Sequence, residues 1–441
     1  MVSAICSYFR VWIYTDFLRY TLCVVMGLAY RLSVTKRKRM KRRRKAETEI
    51  PKDVVMGEIL TRLPVTSLMR FKCVSKLWSS LICSRYFCNR FLAVPLRPRP
   101  PRLYMCLHDC SDPRNSVTLS LAPDAASTSC FVVDHDLTTP RIGGYIWQNF
   151  RGFMCYTIWD KPRIYNPATR QLVTLPAAVK LKSNNREKSF KVVSYYFGHD
   201  PVKDQYKVVC STGINYYYPN GVNLKRVISS EHRVFALKAG GGGSWKKAAP
   251  TPSNFLPHIP DVRGVCIDGV IYYLGWTDTY KSALVSFHIR SGDFKMIQVP
   301  RRDGDELPLR VINVTLIEYG GKATIFDQTN LQEKGILDLW AVADARNEIW
   351  SRKTLVLKPS QLHLVNNYTS FNIRGTTQNG KVFLIPWCLH SPFHILCYDL
   401  QTNDMRKIEI KGVPDHWFSK DKLTVNVTLM EQRESVMYLK T

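Results

Sequence analysis

Acidic residues are scarce in this chain, its cysteines form no recognisable pattern, and common enzyme motifs are missing. The 441 residues hold 35 Asp and Glu against 63 Lys and Arg, a net charge of +28. The thirteen cysteines include no C-x-x-C pair. That excludes a disulfide framework and suits a reducing compartment, where Cys fills core space. The three N-x-S/T sequons, at Asn313, Asn367 and Asn426, carry meaning only in a secretory pathway. No G-x-S-x-G elbow is present, and "GGGGS" (240–244) lacks the Lys-Ser/Thr of a phosphate loop, so it reads as a flexible hairpin turn. Cys106, His108 and Cys110 alternate as on a strand and lack metal-knuckle spacing, which points to a structural role. His199, His258 and His363 have no carboxylate or Cys partner legible in the sequence. No catalytic residue, metal site or cofactor is expected.

The apolar stretch at 1–34 also falls short. Its longest charge-free run, "YTLCVVMGLAY" (20–30), spans eleven residues, where a membrane-spanning helix needs about twenty. Extending it backwards admits Arg19 and Asp16. The segment has neither a basic start nor a small-residue cleavage site, so a cleaved signal peptide is not expected. Met40 makes an ordinary start for the downstream domain, and 1–39 reads as an upstream extension or a disordered segment ahead of a weak membrane anchor.

Positive charge is concentrated in "KRKRMKRRRK" (36–45), with nine basic residues in ten. Repulsion at this density prevents packing, so 1–45 is expected to be disordered alone. Lys36, Arg37, Lys38, Arg39, Lys41, Arg42, Arg43, Arg44 and Lys45 form a candidate nuclear-import signal, which places the chain in the nucleus, the cytoplasm or both. The same strip could touch the phosphates of RNA or of membrane lipid. The remaining 396 residues carry 51 basic and 34 acidic side chains, a basic but ordinary surface.

Residues 50–82 read "IPKDVVMGEILTRLPVTSLMRFKCVSKLWSSLI", with seventeen apolar residues in thirty-three. Pro51 suits a first helical position and Asp53 the first turn. Val55, Ile59 and Leu63 recur at four-residue spacing until Pro64 stops that helix. A second helix is expected from Thr66, carrying Leu68, Met69 and Phe71. A third is expected from Ser75, carrying Trp78, Leu81 and Ile82. Three short helices make a bundle too small to stabilise itself, which implies a partner over the remaining apolar face.

The strings "IP", "EILTRLP", "SLMRFKCVSKLW" and "SLI" stand in the order and at the spacing of the F-box of plant F-box proteins. This stretch closely resembles that module over about 50–92, with Ile50 in place of the usual leucine. The resemblance implies docking to the Skp-type adaptor of a cullin–RING ubiquitin ligase. Carried over position by position, the docking residues are Ile50, Pro51, Ile59, Leu60, Leu63, Pro64 and Leu68, with Val74 and Trp78 supporting or joining them. The expected domains are then a basic extension over 1–45, the F-box-like module over 46–92, and a stiff linker, "AVPLRPRPPR", over 93–102.

From 103 to 430 the pattern is strands. Gly-flanked hairpins recur in "GGYIWQNFRGFMCY" (143–156), "RGVCIDGVIYYLGW" (263–276), "IEYGGKATIF" (317–326) and "RGTTQNGKVFLIPW" (374–387). A second class begins each time with an aromatic strand, and Tyr165, Phe235, Phe287, Trp340 and Tyr398 mark it at intervals of 70, 52, 53 and 58. A period near fifty matches a kelch-like blade of four strands. Five units are clear and a sixth is suggested. The long first interval is assigned to an extra strand pair around "YYFGHDPVKDQYKVVC" (195–210). The strings "YNPATRQLVTLP" and "FGHDPVKDQYKVV" resemble the F-box-associated domain of the same plant proteins. The expected fold is therefore a small all-α three-helix module, then an all-β propeller, then a C-terminal tail over 431–441.

The function this implies is a non-catalytic substrate receptor: the module holds the ligase scaffold and the propeller holds an unidentified target protein. Tyr216, Tyr217, Tyr218, Arg301 and Arg302 are candidate loop residues for that target. Two rivals are a basic nucleic-acid-binding protein gripping through 36–45, and a propeller with a glycan-binding or enzymatic site.

Overall fold

The computed structural model describes residues 55–94 and 102–439, except for 113, 125–128, 180–188, 221–222, 238–242, 250, 278–281, 301–312, 367–370, 378, 387–388 and 419–424. Ile50, Pro51, the basic run 36–45, and Arg301 and Arg302 lie outside these residues, and the side chains of Tyr216, Tyr217 and Tyr218 are not described. Two compact units divide near Pro95.

The first unit is helical. A wound segment over Val55–Arg62 opens it, π-helical over Val55–Ile59 and 3₁₀ over Leu60–Arg62. Helix α1 (Val65–Val74) comes next, one residue earlier than a Thr66 start, with the Pro64 carbonyl accepting its first hydrogen bond from the Leu68 N–H. Helix α2 (Lys76–Ile82) starts where the Ser75 side chain accepts a hydrogen bond from the Trp78 N–H. A further helix, α3 (Arg85–Ala93), extends the three-helix expectation; Ser84 caps it by accepting from the Phe87 N–H. Its apolar side, Phe87, Cys88, Phe91 and Leu92, is buried. It packs against α2 and the wound segment, so part of the apolar surface of 50–82 is covered from within the unit.

The second unit is all-β, with six four-stranded blades among the described residues. The first three strands are β1 (Arg102–Asp109), β2 (Ser116–Pro123) and β3 (Cys130–Pro140). Blade 2 holds β4 (Tyr145–Phe150), β5 (Phe153–Ile158), β6 (Lys161–Asn166) and β7 (Gln171–Thr174). Blade 3 holds β8 (Ser189–Asp200), β9 (Gln205–Asn220), β10 (Asn223–Leu237) and β11 (Lys246–Lys247). Blade 4 holds β12 (Ile259–Ile267), β13 (Val270–Trp276), β14 (Ser282–His288) and β15 (Phe294–Gln298). Blade 5 holds β16 (Val314–Tyr319), β17 (Lys322–Asp327), β18 (Ile336–Asp344) and β19 (Ile349–Val356). Blade 6 holds β20 (Phe371–Thr376), β21 (Lys381–Pro386), β22 (Phe393–Asp399) and β23 (Asp404–Lys411). The last strand, β24 (Val425–Gln432), pairs antiparallel with β1 from Arg102↔Gln432 to Asp109↔Val425. Blade 1 is thus β24, β1, β2 and β3, built from both ends of the domain.

The ring closes because each blade has apolar faces that only its neighbours can cover. One core joins blades 6 and 1 through Met105, Leu121, Ile395 and Val427. Others join blades 5 and 6, 4 and 5, 3 and 4, and 1 and 2. Between blades 2 and 3 the packing is aromatic: Phe150 and Phe153 meet Phe197 edge-on at 5.9 Å. There the Gln148 side chain imitates a strand, donating to the Phe197 carbonyl at 2.9 Å and accepting from the Phe197 N–H at 2.8 Å.

Two expectations change. The segment 195–210 is no extra strand pair: it is β8 and β9, the ordinary first two strands of blade 3. The interval of 70 is long because β8, β9 and β10 are long. The stretch beyond 430 is no free tail. β24 runs to Gln432, and Ser435, Val436, Met437 and Leu439 are buried. Asn166 donates to the carbonyls of Ser435 and Met437, both at 2.9 Å, tying this segment to blade 2. Gly152 allows it to lie there. Its φ is +81°, and an added Cβ would sit 2.5 Å from Ser435 Cβ and 2.7 Å from the Arg433 carbonyl oxygen.

Candidate adaptor-docking site

The expected docking residues separate into a buried set and an open set. On α1, Val65, Leu68 and Phe71 follow helical spacing and are buried. Val74, next in that progression, is 43% exposed, because the helix ends at it and Ser75 turns the chain into α2. On α2, Trp78 and Ile82 face inward, and Phe71 stacks obliquely on Trp78 with ring centroids 5.9 Å apart. Leu77 is 39% exposed. The wound segment buries Leu60, and Thr61 fastens it by donating from its hydroxyl to the Gly57 carbonyl.

Leu60, Leu63, Leu68 and Trp78 are therefore core residues of the unit and, as placed, offer little or no surface to a partner. They fix the shape of the helical unit. Ile59 and Pro64 are half-buried and Val74 is open. Leu77 and Tyr86 of α3 are exposed as well, and the sequence reading singled out neither. The signal for Leu77 was available: it lies one position from Trp78, off the inward α2 face.

Polar groups in the propeller that resemble chemistry are enclosed. Ser211 Oγ lies 3.0 Å from His232 Nδ1, which has the form of a nucleophile–base pair. Ser211 is fully buried between blades 3 and 4, so no substrate reaches it. His258, stacked on His232 at 5.3 Å, sets Nε2 3.1 Å from the Tyr273 hydroxyl. Burial pushes His232 down to about 3, with His258 acting in the same direction, and pushes His258 down to about 4. His199 has the carboxylate partner the sequence did not reveal, Asp204 Oδ1 at 2.7 Å across the β8–β9 turn. Burial nonetheless lowers its pKa. Cys106 and His108 are buried within β1, while Cys110 is exposed beyond its end. His363 sits on a short helix over His363–Asn366.

Comparison with known proteins places both units. The F-box domain family model matches residues 50–90, and that of the F-box associated beta propeller domain matches 102–433. An F-box/LRR-repeat protein of Arabidopsis thaliana is 48% identical over 388 residues, 87% of this chain and 86% of that protein. An F-box protein of the same plant is 45% identical over 414 residues, 91% and 98% of the two chains. Among solved structures, the six-bladed fucose-binding lectin of Aleuria aurantia aligns with a TM-score of 0.33 at 13% identity, over 71% of this chain and 98% of the lectin. TolB of Acinetobacter baumannii aligns with a TM-score of 0.38 at 9% identity, over 77% and 71%. With a helical F-box followed by six closed blades, the chain belongs to the F-box proteins that carry an F-box associated beta-propeller domain.

Proposed function

We propose that this chain is the substrate-recognition subunit of a Skp–cullin–F-box ubiquitin ligase. The helical unit docks the Skp-type adaptor and, through it, the cullin–RING scaffold, and the propeller holds a target protein. The observation that carries the reading is the division of the helical unit: Leu60, Leu68 and Trp78 close a core, while Val74 and Leu77 stay open on either side of Ser75. Two exposed aliphatic residues three positions apart, with half-buried Ile59 and Pro64 elsewhere on the unit, supply apolar anchors for a partner. A specific interface needs roughly 1,200–2,000 Å² of total buried surface, about half from each side.

The chain supplies no reaction centre in this reading. It raises the local concentration of a target lysine near a ubiquitin-charged enzyme held elsewhere in the complex. The enclosed Ser211–His232 pair adds nothing to an enzymatic alternative. The run 36–45 directs the chain to the nucleus in this proposal, and a reporter carrying it that stays cytoplasmic would overturn that part. The central test is capture of the purified chain on immobilised Skp-type adaptor. Binding that is lost on charge insertion at Val74 and Leu77, with the propeller still folded, supports the proposal; undiminished binding overturns the docking face.

A further inference from the structure

Strands alternate in direction within each blade, so the connections β1–β2, β3–β4, β5–β6 and β23–β24 emerge on one face of the propeller. On that face, blade 1 carries a cleft of about 440 Å³. Ligand sites commonly occupy ~300–1,000 Å³. Arg114 contributes from the β1–β2 loop, His135 from β3, Arg141 from the β3–β4 connection, and His416 and Trp417 from the β23–β24 connection. His416 lies against Trp417 with ring centroids 5.4 Å apart.

The cleft is built rather than incidental. The Asp109 side chain accepts from the Ser111 N–H, fixing the β1–β2 loop. The Arg141 N–H donates to the Ser116 carbonyl, and Arg141 holds a φ of +60°. In β3, residues 135–138 bulge out of the ladder between the pairs Ser120↔Asp134 and Thr118↔Thr139, which sets His135 on the cleft wall. Ser116 lines the cleft with its hydroxyl buried and unpartnered. Neither Arg114 nor Arg141 forms an ion pair with a carboxylate among the described residues. On the adjoining blade, Trp159 is 67% exposed at the β5–β6 turn with a φ of +58°. It stands two residues beyond the Tyr145↔Thr157 pair, itself four residues after Arg141. A large exposed indole in a left-handed turn gains nothing for the fold, but it suits a binding anchor.

We propose that this cleft and Trp159 form the target site of the propeller, taking a peptide segment in which an acidic side chain stands near a bulky apolar one. This deepens the receptor reading and rests on it. The anionic group, carboxylate or phosphate, sits between Arg114 and Arg141, and the apolar residue covers Trp159. Asp112 on the cleft wall, with Asp136 and Asp415 nearby in sequence, would repel a continuous phosphate backbone, which favours a single anion on a peptide over nucleic acid.

The test uses the full chain purified with the Skp-type adaptor. Two probes are a short random peptide display library and a synthetic library with one fixed phosphoserine. Enrichment of peptides pairing an acidic or phosphorylated residue with an aromatic or aliphatic one supports the site, and the better library identifies the anion. Arg114→Gln with Arg141→Gln should weaken enriched peptides about tenfold or more, and Arg→Lys at both positions should restore much of that. Trp159→Ala should weaken them similarly. Enrichment without acidic residues, binding unchanged in the double variant, no enrichment from either library, or displacement by single-stranded RNA at equal charge would each overturn the proposal. Adaptor capture, read on the same preparations, separates the two readings. If capture persists, a negative result belongs to the cleft; if capture itself fails, the receptor reading falls.

Discussion

Gln171 and Leu439 exchange two hydrogen bonds across 268 positions of sequence: Gln171 Nε2 donates to the Leu439 carbonyl at 2.6 Å, and the Leu439 N–H donates to Gln171 Oε1 at 2.8 Å. A side-chain amide thus takes the place of a neighbouring strand. With Asn166 holding Ser435 and Met437, it binds the end of the chain to blade 2. Deleting 433–441 should therefore destabilise the whole propeller. Each buried polar group left unpaired costs about 1–3 kcal/mol, so a loss of several kcal/mol is expected, read as a lower denaturant midpoint. Asn166→Leu should reproduce a fraction of it, and a truncated chain as stable as the full one would refute the strap.

Gly152→Ala tests the same contact from the other side. The substitution places a Cβ against Ser435 and the Arg433 carbonyl at a φ of +81°. The left-handed backbone alone costs roughly 1–2 kcal/mol, and displacement of the strap adds to it. Thermal unfolding should show a clear drop, while Gly292→Ala, with φ +86° and nothing nearby, shows only the backbone part.

Acid should weaken the propeller through His232 and His258. Both are held neutral, at about 3 and about 4, below the ordinary histidine value near 6.5. The unfolded chain therefore takes up protons first as pH falls. The stability these groups contribute is whole above pH ~6.5 and declines below it toward their folded values. Between pH 6.5 and 5 the loss is on the order of 3 kcal/mol for the pair. Urea midpoints measured across that range should fall, and replacing both with Gln should flatten the slope.

At the docking face, Val74→Glu with Leu77→Glu should lower adaptor affinity ~30-fold or more, equivalent to ~2 kcal/mol. Both side chains are exposed, so helicity and unfolding midpoint should stay within ~0.5 kcal/mol of the parent. Leu60→Ala should behave in the opposite order. It empties a fully buried site, costs about 2–5 kcal/mol of folding stability, and loses adaptor only as the unit unfolds.

Ser75→Ala removes the oxygen that accepts from the Trp78 N–H. A lost cap of this kind costs about 1 kcal/mol. The change should appear in the denaturation of the helical unit, and Ser75→Asp should recover it.

The aromatic ruler shows what was legible. Tyr165, Phe235, Phe287, Trp340 and Tyr398 all lie buried on the third strand of their blades: β6, β10, β14, β18 and β22. Blade 1 escaped the ruler because its third strand, β2, carries no aromatic residue, and its first strand, β24, comes from the far end of the domain, where no local period spans Asp109↔Val425. Helix α3 went unread because it lies beyond Ile82, where the motif strings end. Phe87, Cys88, Phe91 and Leu92 do recur at helical spacing. The cleft on blade 1 had no sequence signal, since its residues come from 112 to 417 and meet only through ring closure.

The sequence alone determined the class of each unit, the motif at 50–82 and the repeating blade, because helical spacing, turn residues and strand length act over a few residues. The tertiary structure decided which apolar residues of the helical unit are core and which are open. It also made the last residues a strap and brought Arg114, Arg141 and Trp417 to one cleft. Those outcomes depend on burial and on pairing between distant segments, and the free energy of such contacts exists only once the chain has closed on itself.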